Sequence, residues 1–351
     1  MGFACGVEPA TPSLGGAGTI TALLADGSLI FIAPNGATSF HEIRADSAAI
    51  DQAGGHLLHQ TADRRFLTAA VPRADYSSTN LVLVDLATGS TTSRRMPARD
   101  AVYATSTLGQ HSGVIYLVGR QADSVVTSTF AIPSLEQTTR RAGRAARSPS
   151  KYIVAAHLSV DETRLYITYH EWTDWFEVGD TTLTPCAAGA AAGAWCLPSH
   201  GLVLPWKGAL IHATGGPVFR MTTQDGIPID SLPIDLEGNH LMEFALDSAN
   251  SRVVATGSCG YAGGFATAKL PPSLPKPLVA TTHWLRSASP PICGERVTLD
   301  ATGEIAVIAK RGLPATASRG PGELLVVDVD TQKLLRRIAV PAPPIDAIIL
   351  R

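Results

Sequence analysis

Four residues at matching places in a repeated pattern carry side chains that could perform chemistry. The pattern is an apolar run, an aspartate, a turn and a second apolar run, and it recurs along the chain, for example at 157–169, 243–257 and 297–310. Because side chains alternate along a strand, residues at one distance from the turn aspartate should share a face. The polar residues four positions before that aspartate are His59, His157, Glu243 and Arg296.

If these four side chains meet, they form a candidate catalytic set. His59, His157 and Glu243 would suit zinc or another divalent ion, which is the one cofactor the sequence suggests. A His–Glu pair could also serve as the base and acid of a lyase or hydrolase. The alternative interpretation is that these polar residues only line a water-filled channel.

A second candidate site lies in the segment HEWTDWFEVGD at 170–180 and the loop that follows it. Exposed tryptophans beside a histidine and carboxylates can stack against a sugar ring or another flat ligand. The alternative is a small local core beneath the loop. The candidate ligand-binding residues are His170, Trp172, Trp175 and Trp195.

The elements that must position these residues are short strands in groups of four, repeating at 40–50 residues, which is typical of a β-propeller. Six such groups fit between residues 54 and 341. One apolar strand then remains at the C-terminus and three at the N-terminus, and together they make a seventh. The sequence therefore predicts an all-β, seven-bladed propeller over 18–351, closed by both chain ends, after a flexible segment at 1–17. Six or eight blades are the alternatives, because boundaries near 200–236 are weak.

The D-x-x-T turns and the ending VVDVDTQKLLRRIAV resemble those of the YVTN/WD40-like bacterial propellers, a group that includes lactonase-like proteins. The resemblance covers the strand pattern of most of the chain. It implies a seven-bladed fold, and it carries no catalytic residue onto any position of this sequence.

Composition excludes several classes of partner. The formal charge is −2, so we expect no nucleic-acid binding. No apolar stretch approaches the roughly 18–20 residues of a membrane span. The chain contains no phosphate-binding glycine motif and no serine-hydrolase elbow. We also expect the protein to be a monomer.

Cysteines point to an oxidising compartment. Cys186 and Cys196 bracket an Ala/Gly-rich loop, and Cys259 and Cys293 bracket a Pro-rich one, which predicts two disulfides. The alternative is four free thiols. Cys5 lies in a start that resembles the mature end of a bacterial lipoprotein, where the cysteine carries the lipid.

The sequence therefore predicts an extracytoplasmic binding or interaction protein, which is periplasmic, cell-surface or secreted. Its ligand, a small molecule, glycan or protein, would bind at the mouth of the central channel. The alternative is a channel-sited lyase or hydrolase that uses His59, His157 and Glu243. A structural scaffold is the third interpretation, because propellers host all three roles.

Overall fold

The computed structural model describes a large part of the 351-residue chain. All regular elements in that part are β-strands. No helix in it is long and apolar enough to cross a membrane. The described residues are 14–41, 43, 56–73, 78–97, 102–121, 124–144, 153–169, 172–180, 197–198, 203–213, 218–224, 228–233, 241–247, 250–257, 265–270, 283–284, 296–310 and 321–351.

The strands are short and follow one another closely. In chain order they are β1 Ile20–Leu24, β2 Leu29–Ile32, β3 Thr38–His41, β4 Leu58–Gln60, β5 Phe66–Pro72, β6 Ser78–Asp85, β7 Thr91–Pro97, β8 Val102–Gly109, β9 Val114–Gln121, β10 Ser124–Ala131, β11 Gln137–Arg144, β12 Ile153–Leu158, β13 Arg164–Tyr169, β14 Trp172–Glu177, β15 Leu197–Pro198, β16 Val203–Trp206, β17 Ala209–Ala213, β18 Val218–Thr223, β19 Pro228–Pro233, β20 Leu241–Asp247, β21 Arg252–Gly257, β22 Phe265–Lys269, β23 His283–Trp284, β24 Arg296–Leu299, β25 Ile305–Lys310, β26 Gly322–Asp328, β27 Lys333–Val340 and β28 Pro344–Ile349.

These strands form seven four-stranded antiparallel sheets, which are the blades of a propeller. Blade 1 is β4 to β7, and blades 2 to 6 continue in chain order with β8–β11, β12–β15, β16–β19, β20–β23 and β24–β27. Blade 7 has the order β28-β1-β2-β3, so it contains strands from both ends of the sequence. The predicted all-β, seven-bladed propeller is confirmed.

The first strand of each blade lies at the centre of the ring. These innermost strands, β4, β8, β12, β16, β20, β24 and β28, contact the innermost strands of the neighbouring blades all the way around. They therefore surround the central channel and run through it in the same direction, toward one mouth.

Burial explains why the middle strands are apolar on both faces. Every residue of β6 is buried, because neighbouring blades cover both faces of its sheet. The outermost strand β27 is mostly exposed, and its arginines face solvent. The largest core cluster joins blades 7, 1 and 2 through side chains such as Phe31, Leu67 and Phe130.

The turn after the innermost strand sets a register for comparing blades. Thr61, Ser159 and Asp300 each accept a hydrogen bond at a side-chain oxygen from the backbone N–H five residues later, at 3.0, 2.9 and 3.2 Å. Asp247 pairs across its hairpin with Arg252, which is also five residues later. The structurally equivalent position is thus the residue that opens the turn, and only some blades have aspartate there.

Several predictions concern residues outside the described part. They are the disulfide cysteines Cys186, Cys196, Cys259 and Cys293, the lipid anchor at Cys5, and the candidate ligand-binding residues His170 and Trp195. The flexible segment at 1–17 falls mostly there as well. These stay predictions.

Candidate functional site

The four predicted site residues occupy two successive levels of the channel instead of one. Counted from the turn-opening residue, Glu243 and Arg296 stand four positions earlier, whereas His59 and His157 stand only two positions earlier. The alignment on turn aspartates was therefore wrong by two residues for Glu243 and Arg296. A shift of two keeps the side chains on the same face but separates the levels by about 7 Å along the strand.

His56, just before β4, is the centre of the site. Its Nε2 lies 3.2 Å from Oε1 of Glu243, and its Nδ1 lies 3.8 Å from Oδ1 of Asp346. Its ring also meets the ring of His157 edge to face, with centroids 5.6 Å apart. His56 belongs to blade 1, and these partners belong to blades 5, 7 and 3. The imidazole therefore lies across the channel.

A local irregularity of the innermost strands aims His56 inward. In β8, β12, β20 and β28 one residue is skipped in the pairing with the next strand. His56 holds the equivalent place before β4, immediately ahead of Leu57, whose carbonyl oxygen pairs with Ala70 N. A bulge of this kind redirects a side chain that strand alternation would place on the other face.

Two buried carboxylates surround His56. Glu243 makes an ion pair with Arg296 of the neighbouring blade, and both side chains are buried. Asp346 accepts at Oδ2 from the backbone N–H groups of Leu57 and Leu58, at 2.6 and 2.9 Å. The carboxylate of Asp346 thus holds the start of β4 against β28.

His59 is attached to the neighbouring blade 2. Its Nε2 lies 3.0 Å from Oγ of Ser106. The Ser106 hydroxyl donates to the carbonyl oxygen of His56 at 3.2 Å, and the Ser106 backbone N–H donates to the same oxygen at 2.9 Å. The positions of His56 and His59 are therefore linked through one residue of β8.

The environment drives the pKa values of these groups apart. Burial lowers the pKa of His56, but the nearby carboxyl groups of Asp346 and Glu243 outweigh burial, so the net pKa is raised above 6.5. Burial and the charge of His56 lower the pKa of His59 to about 4. The same two causes hold the pKa of His157 well below 6.5.

The two carboxylates also differ. Burial raises the pKa of Glu243, and the attraction of Arg296 and His56 does not fully cancel that effect. Asp346 is equally buried, but its proximity to His56, the charge of Arg296 and the backbone hydrogen bond from Leu57 outweigh burial and lower its pKa to about 2. The channel centre therefore places His56, whose pKa is raised, between two buried carboxyl groups, and beside it lie two histidines whose pKa values are lowered.

The geometry does not support the predicted metal set. His59, His157 and Glu243 are all described, yet no group of three or more His, Cys, Asp or Glu that could hold a metal ion occurs among the described residues. The oxygens of Glu243 are instead next to Arg296 and His56, which would compete with a metal ion for them.

The tryptophans of the second candidate site take different places. Trp175 pairs with Tyr166 on β13 and packs beside the small core of Tyr166, Val203 and Leu210 between blades 3 and 4. The guanidinium of Arg164 lies 5.8 Å from its ring centroid. Trp172 lies opposite Pro198 in the sheet. A stacking role for these tryptophans stays a prediction.

A cavity of about 550 Å³ lies where β4, β24 and β28 end, which places it at one mouth of the channel. His59 forms part of its wall. Its other polar wall residues are Gln60, Thr61, Arg64, Gln110, Thr298 and Arg351, and its apolar ones include Leu58, Leu299, Ile348 and Ile349.

Sequence reasoning missed His56 and Asp346. His56 is three residues from His59, so alternation assigns it to the opposite face, and only the bulge brings it inward. Asp346 is equivalent to Glu243, since both directly follow the skipped residue. β28 is the last strand of the sequence and pairs with the first strand, β1, so no hairpin turn with an aspartate joins the two. Aligning 345–351 with the other innermost strands would have found it.

No protein-family model matches the sequence, and no curated protein is similar to it at a significant level. Solved structures do resemble it. A Bacteroides uniformis protein provisionally named a 6-phosphogluconolactonase is 12% identical, with a TM-score of 0.67 over 94% of this chain and 98% of that one. A Bacteroides fragilis protein with the same provisional name is 12% identical, with a TM-score of 0.66 over 94% and 96%.

A third similar structure is a protein from Lactobacillus plantarum, which is 11% identical, with a TM-score of 0.65 over 95% of this chain and 99% of that one. At these identities the likeness shows the fold alone. The resemblance to bacterial seven-bladed propellers is thus confirmed at the level of the fold, which this chain shares with them along nearly its whole length.

Proposed function

We propose that this chain is a ligand-binding β-propeller whose small-molecule site is the cavity at the channel mouth. The observation that carries the proposal is the cavity itself, which at about 550 Å³ falls within the roughly 300–1,000 Å³ of small-molecule pockets. It combines apolar walls with a few polar groups, as such pockets do. Its walls are the ends of the innermost strands β4, β24 and β28 and the turns that follow β4 and β8.

Hydrogen bonds hold the polar wall in place before any ligand arrives. Oε1 of Gln60 accepts from the backbone N–H of Arg351 at 2.8 Å, and Nε2 of Gln110 donates to the carbonyl oxygen of Gln60 at 3.3 Å. His59 is fixed by Ser106. A wall that is already ordered loses little conformational entropy on binding, which favours affinity.

A cavity-filling substitution tests this site. Ala62 is exposed in the turn at the cavity wall, and Val160 occupies the equivalent exposed position in blade 3. A small-molecule library screened by ligand-observed NMR should yield binders of the wild type and of Val160→Trp that fail to bind Ala62→Trp. Binders unaffected by Ala62→Trp, or an absence of binders to the wild type, would reject the mouth cavity as the ligand site.

A lactone hydrolase is the second candidate, and one wall residue favours it. His59 is neutral at pH 7, because its pKa is about 4, so it can accept a proton from an attacking water. The similar structures named above carry lactonase names, which adds to the case. Proton release from a phosphorylated and an unphosphorylated aldonolactone, followed at constant pH, should fall about 100-fold or more in His59→Gln. Wild-type rates equal to the uncatalysed rate would reject the enzyme.

We further propose that the protein works outside the cytoplasm. The support is the sequence pattern of two loops, each bracketed by a cysteine pair, Cys186 with Cys196 and Cys259 with Cys293. Intact mass under non-reducing conditions should be four protons below the mass of the reduced chain. Five free thiols in protein from an oxidising compartment would contradict the proposal.

A further inference from the structure

Two guanidinium groups in the wall of the mouth cavity make no ion pair with a side chain of the described residues. Arg64 and Arg351 are both exposed and both line the cavity. No ion pair or side-chain hydrogen bond to either group occurs among the described residues. The adjacent Arg65 behaves differently, because it turns away and pairs with Asp85 at 3.0 Å.

The acidic groups nearest the cavity are engaged by their own turns. Asp63 accepts from the Thr61 hydroxyl at 2.5 Å and from the Arg65 backbone N–H at 3.1 Å. Asp300 accepts from the Thr302 hydroxyl at 2.8 Å and from Ile305 N at 3.2 Å. The described wall residues of the cavity include no aspartate or glutamate. The charged side chains among the described wall residues are therefore the two arginines.

Part of the remaining wall of the cavity is apolar. Leu58, Leu299, Ile348 and Ile349 present apolar surface on the ends of β4, β24 and β28. A fully hydrated inorganic anion would gain nothing from these side chains. A molecule with an anionic group and an apolar body would satisfy the arginines and bury its apolar part at once.

We infer that the mouth cavity takes a small amphipathic organic anion, whose carboxylate or phosphate is held by Arg64 and Arg351. This inference rests on the proposed function, since it assigns a ligand class to the same cavity. The two arginines set the charge of the ligand, and the four aliphatic side chains accept its apolar body.

Two fluorescent probes that differ by one anionic group test the inference. 1-Anilinonaphthalene-8-sulfonate carries a sulfonate, and N-phenyl-1-naphthylamine has the same ring system without it. The sulfonate probe should bind the wild type at least tenfold more tightly than the double variant Arg64→Gln/Arg351→Gln. The neutral probe should bind both proteins equally. Arg336→Gln removes an exposed arginine of β27 away from the cavity, and it is the control for each of the single variants Arg64→Gln and Arg351→Gln.

The outcomes separate the two proposals. If neither probe binds the wild type in a manner sensitive to Ala62→Trp, the mouth cavity is not a ligand site, and the proposed function fails. If both probes bind there and the double variant affects neither, the cavity is a site but the inference about charge is overturned. Unchanged thermal unfolding of the double variant would show that a lost probe reflects the site and not the fold.

Competition then identifies the anionic group. Octanoate, octyl phosphate and octanol share one apolar chain. Displacement of the sulfonate probe by octanoate or octyl phosphate, with octanol at least tenfold weaker, supports the inference, and the stronger of the two anions names the headgroup. Equal displacement by octanol overturns it.

Discussion

Nε2 of His56 lies 3.2 Å from Oε1 of Glu243, although the two residues come from blades 1 and 5. In a propeller each blade packs mainly against its two neighbours, so non-adjacent blades are normally joined only through the ring. Here one imidazole contacts residues of blades 3, 5 and 7 across the channel. These contacts therefore link non-adjacent blades directly through the channel.

Removing His56 should cost considerable stability. In His56→Ala, Glu243 keeps Arg296 and Asp346 keeps the N–H groups of Leu57 and Leu58, but both buried carboxyl groups lose the imidazole, which should cost about 1–3 kcal/mol. The free energy of unfolding in urea measures the loss. His111→Ala, in an exposed turn, is the control and should change stability by less than about 0.5 kcal/mol. Equal stabilities of both variants would show that the cross-channel contacts contribute nothing.

Asp346 should control the protonation of His56. Because Asp346 raises the pKa of His56, Asp346→Asn should shift the His56 NMR titration to lower pH. The sign of the linkage follows: a folded-state pKa above 6.5 stabilises the fold below about pH 6.5, and this stabilisation is lost as pH rises through the folded-state pKa. The variant should show a weaker decline over that window. A His56 titration that does not move would place the source of the raised pKa elsewhere.

The ion pair of Glu243 and Arg296 should show strong coupling between its two members. Either single variant, Glu243→Leu or Arg296→Met, leaves one charge buried, whereas the double variant leaves neither. We expect each single variant to lose about 3–5 kcal/mol and the double variant to be no worse than either single variant. A double-mutant cycle in urea measures this. Additive losses would mean that the two charges do not depend on each other.

Much of the fold could be predicted from the sequence, because the strands of a blade pair with their neighbours along the chain and the pattern repeats from blade to blade. The hairpin of 243–257 appears as β20 and β21, and the hairpin of 157–169 as β12 and β13. The apolar strand 345–351 could be assigned to the N-terminal strands because the six blades between residues 54 and 341 were already complete. Such pairings need only the period of two and the turn residues.

The site was harder to predict for a geometrical reason. Turn aspartates occur at two different turn positions, as Asp161 and Asp300 show, and the mixture hid a two-residue offset. The skipped residue in the innermost strands reverses the alternation, so His56 could not be assigned to the channel by counting. The cavity arginines Arg64 and Arg351 lie at a turn and at the final residue, where strand periodicity carries no information.

The last prediction concerns acid stability and His59. Its folded-state pKa of about 4 lies below the unfolded value of 6.5, so the fold favours the neutral imidazole. As pH falls from 6.5 toward 4, the unfolded chain binds a proton that the folded chain does not, and stability decreases. His157 acts in the same direction, because its pKa is also well below 6.5. His59→Gln should therefore remove only part of the decline.

Urea unfolding between pH 7 and 4 measures that decline. We expect the stability lost by the wild type to exceed the stability lost by His59→Gln by on the order of 3 kcal/mol, from about 1.4 kcal/mol per pKa unit. The exposed His111→Gln should follow the wild-type curve. Identical slopes for His59→Gln and the wild type would show that burial in the channel does not lower the pKa of His59.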